Sequence, residues 1–214
     1  KADLDNYEKY VILKFFSIVD ELSPDIIAGF NSEDFDWPFF VTRCEILGLD
    51  IELVAKTLDK SGFNRFKRVE KQLKLGQESQ NYKQTTMWGY NIIDVSHAVR
   101  RAKAIDSNIK KWGLKYITKH SGLNKPNRVY VDKIFKTWAD KTNDYAFNES
   151  DGIFYVVTND NPLKDGYTIV TGAYIVRRYL LDDLWETEEV DNRYNQASFL
   201  LSKIIPTQYS RSTT

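Results

Sequence analysis

The sequence has few of the residues that cross-link small domains or bind structural metals. Its 214 residues include one cysteine and two histidines, which excludes an internal disulfide and an ordinary structural zinc site. No apolar run approaches the ~20 residues needed to cross a bilayer, and no signal peptide is visible, so we expect no membrane partner. Thirty basic residues balance thirty acidic ones. The zero net charge removes the simplest argument for nucleic-acid binding, although local charged patches are not excluded.

The residues that are present favour a folded α/β domain, because 42% are hydrophobic and 14% are aromatic. Apolar residues at helical spacing predict an amphipathic helix over 6–22, with a stripe of Tyr7, Val11, Phe15, Ile18 and Leu22. The other main predictions are a buried strand at 25–31, a helix from Asp36 to about Gly48, a strand and helix at 87–99, a strand at 152–157 and a helix at about 170–188. Strands that alternate with helices indicate an α/β sheet domain.

The ends of the sequence suggest a piece of a longer protein. Its only methionine is Met87, and its last residues run into serine and threonine without an obvious structural stop.

The passage at 25–36 carries the most local information. Its predicted strand ends at Asn31, a polar turn follows, and Asp36 opens the next helix. Ligands of open α/β sheets bind beyond strand ends, where a carboxylate suits Mg²⁺ or Mn²⁺. Aspartate also caps helices well, so Asp36 is either a metal ligand or a helix cap.

A tyrosine and an aspartate four residues apart form the second pattern. Tyr179 and Asp183 share one face of a predicted helix. Tyr90 and Asp94 have the same spacing on a predicted strand, and even spacing also gives one face there. Spacing alone therefore does not choose between the two pairs.

Charged segments allow two interpretations. Basic residues at 56–74, interrupted at Ser61 and Gly62 by a loop or hairpin, and at 98–119 could steer DNA or form solvated faces. The acidic run from Asp182 to Asp191 is predicted to be mostly a solvated face.

His97 and His120 are predicted to be structural or at the surface, and Cys44 to lie in the core.

Two of these segments resemble motifs of the family B DNA polymerases. Asn31, Phe35 and Asp36 match the Asn-x-x-x-Phe-Asp element of the second exonuclease motif, and Tyr179 and Asp183 match the Tyr-x-x-x-Asp element of the third. Residues 90–99 resemble the strand and helix in which that family carries a structurally important aspartate. The order of elements agrees over about residues 6–190.

The resemblance implies a ribonuclease H-like α/β fold, with a mixed central sheet flanked by helices, and a 3′–5′ exonuclease that proofreads DNA. It further implies that Asp36 and Asp183 ligate Mg²⁺ or Mn²⁺ and that Tyr179 orients the attacking water. Asn31 and Phe35 would lie against the single-stranded 3′ end. Two cations held by carboxylates can activate water and stabilise the leaving oxygen.

The family's first motif, Asp-x-Glu on the first strand, has no counterpart here. We therefore expect residues 1–190 to be an N-terminally incomplete exonuclease domain and residues 191–214 to begin the connection to a polymerase body. The isolated chain is expected to bind metal weakly and to hydrolyse little DNA. Two alternatives are a non-catalytic scaffold or DNA-binding module within a polymerase, and a free-standing nuclease. The expected location is the cytoplasm, in association with the nucleoid, for a bacterial or phage protein and the nucleus for a eukaryotic one.

Overall fold

Helices and strands alternate along most of the chain. The computed structural model describes residues 2–55, 66–205 and 208–212. They divide into two compact units, one extending to Trp112 and resuming at Asp191, the other comprising Gly113–Val190. The predicted α/β class is confirmed.

The first unit begins with a long helix and a short strand. Its elements are α1 (Ala2–Leu22), β1 (Ile26–Gly29), α2 (Asp36–Leu47), α3 (Ile51–Ala55), β2 (Lys67–Leu75), β3 (Glu78–Thr86), β4 (Asn91–Asp94) and α4 (Val95–Ile105), followed after the second unit by α8 (Gln196–Ile204) and α9 (Tyr209–Ser212). Helix α2 starts and stops as predicted. Gly48 ends it in the left-handed conformation, with φ of 67°, which glycine adopts without a Cβ penalty.

Strands β1 and β4 form a parallel pair that places two chain segments at one edge. Ile26 pairs with Asn91 and Gly29 pairs with Asp94, so both strands end at the same level. The residues that follow them, Asn31 in one case and α4 in the other, therefore meet at a shared strand end.

The core of the first unit lies between α1, α2 and the residues around β4. Trp37, Cys44 and Leu47 of α2 are buried there, which confirms the predicted core position of Cys44. The stripe predicted for α1 is wrong by one position. Ile12, Phe16 and Val19 are the buried residues, while Tyr7 and Leu22 of the predicted stripe are exposed. Apolar residues on two faces of α1 left its inward face undecided by periodicity.

Strands β2 and β3 form an antiparallel hairpin with regular pairing from Lys67 opposite Thr86 to Leu75 opposite Glu78. The turn falls at Gly76, where φ is 67°. The predicted interruption at Ser61 and Gly62 lies outside the described residues.

The second unit contains α5 (Leu114–His120), α6 (Ile134–Ala139), β5 (Tyr145–Phe147), β6 (Phe154–Val156), β7 (Thr168–Val170) and most of α7 (Gly172–Tyr194). Its three strands form an antiparallel sheet with β5 in the centre. Val129, Phe147, Ile175, Val176 and Tyr179 belong to its core. The predicted strand, β6, and the predicted long helix, α7, are present, whereas β5 and β7 were not anticipated.

Among the described residues the strands form three small sheets, of two, two and three strands. The mixed central sheet expected from the resemblance is not among them. In the same ranges, no helix is long and apolar enough to cross a membrane.

Candidate functional site

The carboxylate of Asp94 organises the turn that follows β1. Its Oδ1 accepts hydrogen bonds from the backbone N–H groups of Asn31 and Ser96, each at 2.9 Å, and its Oδ2 accepts from Glu33 N–H at 3.0 Å. Asp94 is buried and also caps α4. One charged side chain thus ties the turn after β1 to the start of α4, so Asp94 has the structural role that the resemblance implied.

Asn31 adopts a conformation that is uncommon for a residue with a side chain, with φ of 63°. Asparagine tolerates the left-handed region better than most residues. The Asn31 Oδ1 accepts a hydrogen bond from Arg100 Nη2 at 3.1 Å, while the Asn31 backbone N–H is held by Asp94. The side chain and the backbone N–H of Asn31 are therefore both held by hydrogen bonds.

Asp36 is the first residue of α2 and does not cap it. Phe35 occupies the N-cap position and makes no capping hydrogen bond through its side chain. The Asp36 side chain is exposed and lies at the positive end of the helix dipole. Although the residue is exposed, the protein atoms around its carboxyl group reduce its hydration and so raise the pKa of Asp36. The hydrogen bond from its own backbone N–H opposes this change, and the nearby charge of Asp94 adds to it. Asp36 is thus a carboxylate available to a ligand, and Phe35 beside it is 67% exposed.

Glu33 stabilises the turn from its other side. Its carboxylate accepts hydrogen bonds from the Thr85 N–H at 2.8 Å and the Thr85 hydroxyl at 2.7 Å. Burial raises the pKa of Glu33, and the bonds from Thr85 and the charge of Arg68 counteract it. The turn is thereby attached to β3 as well as to α4.

In the second unit, Tyr179 and Asp183 both lie next to the guanidinium group of Arg128. Arg128 forms an ion pair with Asp183 and lies 5.6 Å from the centre of the Tyr179 ring. Lys115 Nζ is 4.6 Å from the centre of the same ring. The Tyr179 ring is buried in this basic setting, while Asp183 is 27% exposed. The two predicted residues do share one helix face.

The prediction of a solvated acidic face on α7 is wrong for two of its carboxylates. Asp182 and Glu186 are fully buried. Asp182 pairs with Lys125 and accepts a hydrogen bond from Val129 N–H at 2.8 Å, and Glu186 pairs with Arg128. Burial raises the pKa of Glu186 and Arg128 opposes this change. Charge runs predict exposure only when no partner elsewhere in the chain neutralises them.

The predicted metal ligands lie in separate units, Asp36 in the first and Asp183 in the second. Within the described ranges, no group of three or more His, Cys, Asp or Glu residues could hold a metal ion. Asp183 is moreover already paired with Arg128. These residues therefore do not by themselves form a complete divalent-ion site.

Several residues around the turn after β1 and around Asp183 were not singled out from the sequence. Glu33, Arg100 and Arg128 each bind partners 52 or more positions away along the chain. Of these three residues, only Arg100 belonged to a segment that the sequence marked, the basic residues at 98–119. The histidines agree with prediction, since His97 is buried beside Tyr82 and His120 is exposed, stacked on Tyr116.

A family comparison covers the first unit's site. The sequence model of the family described as "DNA polymerase family B, exonuclease domain" matches residues 5–117. That range contains Asn31, Phe35, Asp36, Asp94 and Arg100.

Curated relatives are DNA polymerases. The chain is 34% identical to DNA polymerase 2 of Aeropyrum pernix over 55 residues, which cover 26% of the chain and 7% of that protein. It is 32% identical to the catalytic subunit of DNA polymerase epsilon from Saccharomyces cerevisiae over 103 residues, or 42% of the chain and 5% of that protein. A DNA polymerase of a Thermococcus species is 35% identical over 52 residues, covering 24% of the chain and 7% of that protein. The matched regions thus span less than a tenth of each relative's length.

Proposed function

Since the chain belongs to the exonuclease-domain family of the family B DNA polymerases, we propose that it removes nucleotides from the 3′ end of DNA as the proofreading part of such a polymerase. The observation that supports this function most is the turn from Asn31 to Asp36. It lies inside the matched range, and Asp94 holds it so that Phe35 and Asp36 are exposed together. The proposal includes a ribonuclease H-like arrangement for the complete domain.

Asn31 and Phe35 are the proposed contacts to the single-stranded 3′ end. An exposed aromatic ring can stack on a base of any sequence, and such stacking is worth about 1–3 kcal/mol per base. Mispaired ends fray more readily than paired ones, so a site that holds an unpaired terminus acts preferentially on errors.

Asp36 and Asp183 are the proposed carboxylate ligands of Mg²⁺ or Mn²⁺ in the complete enzyme, and Tyr179 is proposed to orient the attacking water. Bound divalent ions would supply an activated water and charge stabilisation at the leaving oxygen. Further carboxylates are needed to complete such a site, so this chain by itself is proposed to bind metal weakly and to hydrolyse little DNA.

The proposed partners are a DNA 3′ end and the polymerase body of the same protein. Lys103 of α4 and Lys115 and Lys119 of α5 are exposed and would attract the DNA backbone. The proposed location follows that of the genome that the polymerase copies, in the cytoplasm or in the nucleus.

The test uses the full-length polymerase and a primer with a mismatched 3′ end. Asp36→Ala and Asp183→Ala should each reduce excision at least ~100-fold while leaving primer extension intact, because removing a metal ligand affects only the exonuclease reaction. Glu45→Gln in α2 and Glu188→Gln in α7 are matched controls, as both carboxylates are exposed on the same helices. Excision that stays unchanged in both alanine variants would refute these assignments.

A second candidate is a non-catalytic scaffold or DNA-binding module within a polymerase. The ion pair between Arg128 and Asp183 favours it, because a neutralised carboxylate is a poor metal ligand. A wild-type full-length protein that extends primers yet excises no mismatch at any Mg²⁺ or Mn²⁺ concentration would support the scaffold and exclude the nuclease.

A further inference from the structure

Arg100 of α4 joins the turn after β1 to two other segments of the first unit. Its Nη2 donates to Asn31 Oδ1 at 3.1 Å and to Asp34 Oδ2 at 2.9 Å. Its Nη1 lies 3.4 Å from Gln80 Oε1 on β3. The guanidinium carbon is 4.1 Å from the centre of the Trp112 ring, at a distance typical of a cation–π contact.

These contacts hold a buried arginine in one orientation. The Arg100 side chain is 8% exposed, whereas the carboxylate of Asp34 with which it pairs is 40% exposed. A planar guanidinium that stacks on a ring and donates in its own plane loses little further freedom on binding. The Arg100 side chain is therefore held in one conformation beside a half-exposed turn.

The Asn31 carboxamide takes its orientation from Arg100. Because an arginine only donates hydrogen bonds, it must face the carbonyl oxygen of the amide and not the NH2 group. The NH2 group is then directed away from the guanidinium. Asn31, Asp34, Arg100, Lys103 and Trp112 line an open cleft of about 830 Å³. Because Asn31 is one of the residues that line this cleft, a nucleotide bound there would lie within reach of its carboxamide.

We propose that Arg100 is a positioning residue for the 3′ exonuclease reaction: it fixes the Asn31 carboxamide so that its NH2 group donates to an acceptor oxygen or nitrogen of the terminal nucleotides. This proposal rests on the function proposed above and identifies how the turn is kept ready for DNA. Arg100 acts through Asn31 and does not touch the reacting atoms.

A double-mutant cycle in the full-length polymerase tests the proposal by excision from single-stranded and mismatched 3′ ends. Asn31→Ala and Arg100→Met should each lower kcat/KM about 10-fold or more, because small misplacements of a substrate are costly. Arg100→Met should have less than about a 2-fold further effect in the Asn31→Ala background, because residues that act through one contact are not additive. Arg100→Lys should recover part of the activity, mainly in kcat.

Two control variants separate positioning from charge. Lys103→Met removes one positive charge from the same cleft without a contact to Asn31, and should raise KM in a salt-dependent manner with kcat retained. Asp34→Asn removes the ion-pair charge but keeps the bond from Arg100 to Asn31, and should change kcat/KM less than about 3-fold. Additive losses in the double variant, or an Asp34→Asn loss as large as that of Arg100→Met, would overturn the proposal.

A measurement that does not depend on activity tests this inference separately from the function on which it rests. In the isotope-labelled chain without DNA, the side-chain NH2 resonance of Asn31 should shift in Arg100→Met and stay in place in Lys103→Met. An unshifted resonance in Arg100→Met refutes the Arg100–Asn31 contact in solution. A shifted resonance in a polymerase that excises no mismatch would instead support the contact and refute the exonuclease function.

Discussion

The Asp94 carboxylate offers the sharpest test of how the candidate site is built. Asp94→Ala removes the acceptor of three backbone N–H groups, those of Asn31, Glu33 and Ser96, at 2.9–3.0 Å. Glu33 and Ser96 are themselves buried, so water cannot easily replace the lost acceptor. A buried donor left without a partner costs about 1–3 kcal/mol. Some relaxation of the turn is expected, and the predicted loss is therefore about 3–5 kcal/mol in the free energy of unfolding.

Urea denaturation of the chain, followed by tryptophan fluorescence, measures this loss because Trp37 is buried in the core of the same unit. Asp106→Ala is the matched control. Asp106 also accepts a backbone hydrogen bond two residues onward, at 2.8 Å from Asn108 N–H, but at an exposed position, and it should cost less than about 1 kcal/mol. Equal losses in the two variants, or a loss below about 1 kcal/mol for Asp94→Ala, would show that the turn does not depend on Asp94.

Two further predictions concern buried ionisable groups. Burial lowers the pKa of His97 below its usual value of 6.5, with Asp94 opposing and Arg100 adding to the change. The unfolded chain then binds the proton more readily, so this contribution to stability is complete above about pH 6.5 and is lost as the pH falls toward the lowered pKa. Melting temperatures at pH 7.5 and 5.5 should therefore differ less for His97→Gln than for the wild type, and an unchanged difference would contradict the assignment. Arg128→Met should lower the free energy of unfolding by about 3–5 kcal/mol, since it leaves Glu186 buried without its cation. Urea midpoints check this loss, and a change below about 1 kcal/mol would show that Glu186 does not depend on Arg128.

Several elements could be predicted because their signals are local. The start of α2 at Asp36 and its end at Gly48 follow from helix-forming residues and from glycine's access to positive φ. The strand and helix around Asp94 follow from an apolar run that leads into a helix-forming segment, while the structure adds that Asp94 caps the helix. The motif positions Asn31, Phe35 and Asp36 could be read from the same short segment. The family match to residues 5–117 confirms the family, while the roles of these three residues stay predictions.

Other features could not be predicted because they depend on distant partners. The face of α1 that is buried depends on what packs against it, since apolar residues lie on two of its faces. Strands β5 and β7 were not anticipated, whereas the equally short β6 was, because it lies within a longer strand-like run at 152–157. The burial of Asp182 and Glu186 required Lys125 and Arg128, more than 50 positions earlier in the chain.

The sequence by itself therefore determined the family, the α/β class and the residue types at the motif positions, because motifs and periodicity are properties of neighbouring residues. Only the tertiary structure decided which side chains are fixed and how. In the folded chain, Asp94 accepts a hydrogen bond from the turn after β1, Arg100 donates to the side-chain Oδ1 of Asn31, and Arg128 pairs with Asp183. The physical reason is that hydrogen bonds and ion pairs depend on positions in space, and a chain brings distant residues together only when it folds.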